Sequence, residues 1–169
     1  MSSTERPILF QDTMVSAILD GRKTVTRRVG PTWACCQAGD RLWVREAHAL
    51  VDGPCWSGLP CVEGPDGQWA YYRTGFDRTA PRWRPSIHLP RWACRLHLEV
   101  VSVTEEQALL GGGLGQMAVA MPKVDDEEAR HEGFANRAAF LDLWRRLHPD
   151  HIGPIYRVAF RRIEGVARG

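Results

Sequence analysis

Apolar residues recur along this chain with two periods, one of two residues and one near 3.6, and each predicts its own kind of element. "RLHLEVVSVT" (95–104) is the clearest strand: Leu96, Leu98, Val100 and Ser102 alternate with His97, Glu99, Val101 and Val103. "IYRVAFRRI" (155–163) alternates in the same way and predicts a closing strand. "GDRLWVREA" (39–47) follows a turn signal, with Leu42 and Val44 on one face and Arg41, Trp43 and Arg45 on the other. "PILF" (7–10) and "WAYYR" (69–73) read as shorter strands. Helical spacing appears in "QDTMVSAILDG", where Met14, Val15, Ile18 and Leu19 share a face, Asp12 suits the start and Gly21 the C-terminal cap. "NRAAFLDLWRRLHP" (136–149) is the strongest helix, capped by Asn136, ended by Pro149, with Phe140, Leu143, Trp144 and Leu147 as its buried stripe. "DDEEARHEGF" predicts a short helix ending at Gly133, and "EEQALL" one or two helical turns.

Between these elements, 48–68 is rich in Gly and Pro and reads as an irregular loop, and "GGGLGQ" opens an excursion over 111–124. Strands dominate and helices are scattered, which predicts an α+β chain built on a small mixed barrel or strongly curved sheet with helices at its ends. A parallel βαβ layout fits poorly, because no helices separate the strand at 95–104 from those before it. At 169 residues a single domain is expected.

The formal net charge of +2 says little about partners. Its kind says more: of 22 basic residues only Lys23 and Lys123 are lysines. Arginine binds phosphate and carboxylate through two parallel hydrogen bonds, although a GC-rich coding sequence gives the same excess. "MSSTERP" lacks the apolar core of a signal peptide and no apolar run approaches a membrane span, so a soluble, cytoplasmic protein, monomeric by default and without a membrane partner, is expected. Five cysteines without a CxxC pair predict small buried thiols; zinc held by Cys35, Cys55, Cys61 and His48 is disfavoured by the spacing, and neither metal nor cofactor is expected. "GGGLG" lacks the GK[ST] end of a phosphate loop.

Chemistry concentrates in two stretches. In "DGRKTVTRR" (20–28) a threonine hydroxyl could act as nucleophile if a base takes its proton, and a lysine can do so when burial or nearby positive charge, here Arg22, Arg27 and Arg28, lowers its pKa. In a straight strand Lys23 and Thr26 face opposite sides, so a site here requires irregular backbone after Gly21. Spacing alone favours the plainer reading, a helix C-terminus followed by basic residues. The second stretch, 73–95, holds six arginines against one acid, Asp77, with Trp83 and Trp92 interleaved and three prolines. Arg84 and Arg91 could meet phosphate while aromatic rings stack on bases, and Ser86 and His88 could read a substrate. The alternative is a proline-pinned loop whose tryptophans enter the core. Tyr72, just before this loop, and Trp43, Arg45 and Glu46 complete the candidate binding set, although Arg45 and Glu46 fall on opposite strand faces. Glu132 alone looks like surface charge.

"GRKTVTRR" resembles the Gly-x-Lys-x-x-x-x-Arg signature of the ASCH domain, carried here by Gly21, Lys23 and Arg28. The Gly-Asp turn into "LWVREA", the late helix with Glu-Gly and the closing strand follow in the same order, and "WRPSIHLPRWACR" is similar to a phage and prophage branch. The resemblance spans the chain except 48–68 and 111–124. It implies a β-barrel of the PUA-like type, related to RNA-binding modules. Some bacterial members of the family hydrolyse N4-acetylcytidine with a lysine, a threonine and a glutamate, at positions matching Lys23, Thr26 and Glu132, while others are thought to bind RNA or act as nucleases. In a hydrolytic mechanism Arg28 or backbone N–H groups would hold the oxyanion. The chain is much longer than the small amidohydrolase members, and its arginine–tryptophan loop is extra. Three readings stay open: an amidohydrolase on a modified nucleoside or nucleic acid, a non-catalytic RNA- or DNA-binding module, and, more weakly, a metal-dependent nuclease.

Overall fold

A computed structural model describes residues 3–78, 82–106, 109–111 and 119–164, the side chains of 109–111, 119 and 121 excepted. In chain order the elements are β1 (Glu5–Leu9), α1 (Asp12–Leu19), β2 (Val25–Val29), α2 (Pro31–Ala34), β3 (Arg41–Arg45), β4 (His48–Asp52), β5 (Cys61–Glu63), β6 (Gln68–Tyr72), β7 (His97–Glu106), β8 (Leu109–Gly111), β9 (Val119–Met121), α3 (Asp126–His131), α4 (Arg137–Leu147) and β10 (Ile155–Ile163). The chain is α+β, as expected. It divides into two compact units: Met1–Leu19 with Asp40–Glu99 and Arg162–Gly169, and Asp20–Gly39 with Val100–Arg161.

In the first unit, β3 lies between β1 and the start of β7. Leu42 pairs opposite Leu98 in antiparallel register, and both are fully buried. Ile8 pairs opposite Val44, but β1 and β3 run parallel. That corrects the expectation against parallel pairing. A parallel neighbour needs a long crossover, and the chain between β1 and β3, which includes α1, supplies it. The supposed loop at 48–68 holds two strands: β4 and β5 flank β6, all antiparallel. Its glycines and prolines punctuate short strands rather than replace them. Leu50, Val62, Ala70, Tyr72, Leu89, Trp92 and Ala93 pack together there.

In the second unit the strand order is β7, β10, β2, with β10 and β2 antiparallel from Ile155 opposite Val29 to Ala159 opposite Val25. Ala120, Val124, Ala129, Phe140, Leu141, Trp144 and Ile155 form its core. Asn136 caps α4, its side chain accepting from Ala139 N at 2.9 Å. Leu147, expected in the buried stripe, is 55% exposed, and Leu143 is half-buried. The core ends at Trp144, and the His148 ring packs 4.4 Å from it where Leu147 was expected to serve. "EEQALL" is not helical where described: Glu105 and Glu106 finish β7 and Leu109 opens β8, which pairs with β9 as a two-stranded ribbon. The glycine run at 112–118 lies outside the described residues. Among the cysteines Cys36 and Cys94 are buried, but Cys35 and Cys55 are exposed and Cys61 is half-buried, against the expectation of buried thiols. No helix among the described residues is long and apolar enough to cross a membrane.

Candidate active site

The backbone between α1 and β2 is irregular, as a site at Lys23 requires. Gly21 adopts φ +74°, a left-handed conformation that costs other residues about 1 kcal/mol or more. Thr24 is then pinned from two sides: its N–H donates to the His131 carbonyl at the end of α3, and its carbonyl accepts from Phe160 N on β10, both at 2.9 Å. Lys23, immediately before, is 3% exposed. Its ammonium donates to Val25 O at 2.7 Å, Glu132 O at 2.7 Å and Glu132 Oε2 at 2.9 Å.

Glu132 comes from 109 residues further along the chain. Asp125 caps the start of α3, its carboxylate accepting from Glu128 N at 2.8 Å, and the helix ends where Gly133 turns to φ +88°. Gly133 N and Phe134 N donate to Arg130 O and Ala129 O, each at 2.9 Å. This closure turns Glu132, at the C-cap, inward to 2% exposure. The lone surface carboxylate of the sequence is therefore a buried partner of two cations: Oε2 meets Lys23, and Oε1 meets Arg27 Nη1 at 3.1 Å.

Arg27 ties this pair to a wider network. Its Nε and Nη2 grip Glu106 at 2.7 Å each, and Nη2 also donates to Glu128 at 3.0 Å. Arg157 lies directly opposite Arg27 across the β2–β10 pair, where two like charges would repel. Glu128 separates them, accepting from both. Burial pulls Lys23 below the usual lysine range; the charge and hydrogen bond of Glu132 pull it back up, and Arg28 and Arg27 push it down, for a net lowering. Burial also weighs against charge on Arg27, but the three glutamates outweigh it and raise its pKa.

Thr26 is 4% exposed and pairs opposite Val158 on β10. Strand alternation puts Thr26 and Arg28 on one face of β2 and Val25, Arg27 and Val29 on the other. Lys23 and Glu132 are brought together directly, whereas Thr26 lies on the strand face opposite Arg27. Burial lowers the Arg28 pKa, with Glu132 opposing.

The remaining candidates belong to the first unit. Trp43 is buried, with the guanidinium groups of Arg45 at 4.6 Å and Arg91 at 5.5 Å from its ring. Arg45 donates to Ile87 O at 3.2 Å, and Arg91 grips Glu5 through two nitrogens. Glu46 is fully buried in a two-pronged pair with Arg95 at 2.8 and 2.9 Å, and Arg95 lies 4.1 Å over the Tyr72 ring. Tyr72 is itself core, its hydroxyl donating to Ala93 O. Burial drives its pKa well up. Ser86 and His88 occupy a short helical turn, His88 exposed and Ser86 half-buried. Arg84 pairs its backbone with His48 and exposes its side chain.

The 73–95 loop is less cationic than its composition suggests. Arg73 pairs with Asp12, Arg78 with Asp77, Arg91 with Glu5 and Arg95 with Glu46. Trp83 packs edge-on against Phe76 at 5.0 Å, within a run of rings that continues through Trp56 to Tyr71, and Trp92 packs on the core. Arg82 and Arg84 are exposed.

Sequence reasoning missed Glu106, Glu128 and Arg157 as members of the Lys23 neighbourhood. One signal was present: Glu128 and Glu132, four apart on a helix, share a face and invite a common cation. No family model, curated protein or solved structure matches the chain.

Proposed function

We propose that this chain is an amidohydrolase that removes the acyl group from an N4-acylated cytidine or related modified pyrimidine, on a PUA-like barrel of the ASCH type. The observation that carries this reading is the buried contact between Lys23 and Glu132, 2.9 Å apart and joined across 109 residues, three positions before Thr26. A lysine held below its ordinary pKa beside a carboxylate can serve as the base that activates a hydroxyl, and Thr26, three residues on, is the hydroxyl proposed.

In the proposed sequence Lys23, neutral, accepts the Thr26 hydroxyl proton, and Oγ1 attacks the amide carbonyl carbon. The tetrahedral adduct expels the cytosine amine, which takes the proton back through Lys23 or Glu132. Water then cleaves the acyl-threonine ester to acetate. Arg28 or backbone N–H groups stabilise the oxyanion. Lys23 donates three hydrogen bonds as an ammonium, so it must first lose one proton to solvent, and one of these bonds with it, to become the neutral base of this step.

That saturation favours one second reading: Lys23 and Glu132 as a purely structural ion pair in a nucleic-acid-binding module, with Arg82 and Arg84 as its exposed cations. The two separate cleanly. Incubation with N4-acetylcytidine, free and within an oligonucleotide, is expected to release cytidine, and Thr26→Ala to abolish release while binding persists. Wild-type protein that releases none from either substrate, yet binds oligonucleotide with a steep salt dependence, would overturn the enzymatic reading.

A further inference from the structure

In the Lys-Thr-Glu reading Arg27 is only a nearby positive charge, yet it is among the most heavily engaged side chains of the second unit. Its guanidinium makes four hydrogen bonds to three carboxylates: two to Glu106, one to Glu128 and one to Glu132. Its side chain is 2% exposed. A surface ion pair needs no such anchoring, and a lysine could not supply it, since only the planar fork meets several carboxylates at fixed angles.

The arrangement has a direction. Glu106 holds the Nε–Nη2 edge of the fork, and Glu128, itself clamped by Arg157, holds Nη2 from the other side. Both act on the end remote from Glu132 and leave Nη1 to meet Glu132 Oε1. With Oε1 so taken, the Glu132 carboxylate offers Oε2 to Lys23.

We propose that Arg27 is the positioning residue of this site: its anchored guanidinium fixes the Glu132 carboxylate and draws off part of its charge, so that Lys23 meets one oxygen of a half-neutralised partner. This deepens the amidohydrolase reading, because a base must be able to lose its proton and an undivided Glu132 charge would oppose that. Among the described residues, the charged groups acting on Lys23 include Glu132, Arg28 and Arg27. Those around Arg27 are Glu106, Glu128 and Glu132, with Arg157 and, at 3.9 Å, the His131 ring on Glu128.

The chain's two lysines make the test direct. Protein labelled with 13Cε-lysine gives two NMR signals, and Lys123→Arg assigns them. Each is titrated in wild-type protein, in Arg27→Gln and in Glu106→Gln, with the near-ultraviolet circular dichroism recorded for folding. Lys23 is expected to titrate below the usual lysine range in wild type. Arg27→Gln should raise its midpoint by about one pH unit or more, since a cation is lost and Glu132 turns wholly to Lys23. Glu106→Gln should move it the other way, because Arg27 then leans on its remaining carboxylates. A role confined to packing would leave both midpoints near wild type. An unchanged Lys23 in folded Arg27→Gln, or shifts of the same sign in both variants, would overturn the proposal. Should Arg27→Gln not fold, the downward shift in Glu106→Gln decides alone, and its absence is fatal. No substrate enters this experiment. Shifts as expected without cytidine release would therefore sink the amidohydrolase reading and leave the role of Arg27 standing; release with an unperturbed Lys23 would do the reverse.

Discussion

At the scale of single residues, the buried pair of Lys23 and Glu132 carries a large local cost. Their side chains are 2% and 3% exposed, so removing either strands the other's charge away from water. Breaking such a pair from one side costs about 3–5 kcal/mol, whereas removing both members together costs less than the sum. Lys23→Met is therefore expected to lose about that much stability in urea unfolding at neutral pH, and Lys23→Met with Glu132→Gln to recover part of it. Strict additivity would mean that the two charges do not sense each other, in conflict with the 2.9 Å contact. The sequence made Lys23 visible as a candidate, because lysine is rare here and follows a helix-ending glycine. Glu132 was visible only through resemblance. Nothing local distinguishes it from its acidic neighbours until the turn at Gly133 is known to point it inward.

At the scale of elements, the ends of helices carry the consequences. Asn136 accepts from Ala139 N, so Asn136→Ala should cost about 1 kcal/mol through the exposed start of α4. Gly21 has open space where a side chain would grow, so Gly21→Ala should cost a similar amount, about 1 kcal/mol, through backbone strain alone. Thermal or urea unfolding reads both. An Ala at 21 that leaves stability unchanged would mean that the left-handed turn ahead of Lys23 is not required. Long alternating strands and the capped helix were legible because their periods persist over many residues. The parallel pairing of β1 with β3 was not, because strand partners depend on what the crossover packs against. Nor were β4 and β5, whose three to five residues are too short to establish a period among glycines and prolines. Leu147 fitted the helical period but missed the core, since period fixes a face and not how far along the helix burial extends. The arginine-rich loop misled in the same way. Its charges were legible, but the acids that pair with them, Asp12, Glu5 and Glu46, lie well before it in sequence.

At the scale of the whole molecule, the ion network makes folding depend on pH. Glu128 is the clearest contributor: burial pushes its pKa up, but the hydrogen bonds and charges of Arg157 and Arg27 outweigh this and hold it below the usual glutamate value of 4.5. A carboxylate depressed in the folded state contributes stability that is complete above its unfolded pKa and is lost as pH falls through the folded one. The window is therefore acidic, from about pH 4.5 downward, and the network is intact at neutral pH. Lys23 acts in the opposite range. Its charged form is disfavoured on folding, so this group alone makes stability rise as pH climbs toward its unfolded pKa. Wild-type protein should thus lose thermal stability steeply on acidification below about pH 4.5. Glu128→Gln, less stable at pH 7, should show a shallower acid limb, so that the two melting curves converge at low pH. Parallel curves with a constant offset would place the acid sensitivity elsewhere and reduce Glu128 to a spacer between Arg27 and Arg157. The comparison is informative because Gln keeps the shape and one acceptor of Glu128 while removing its charge and its second acceptor, both of which the arginines use.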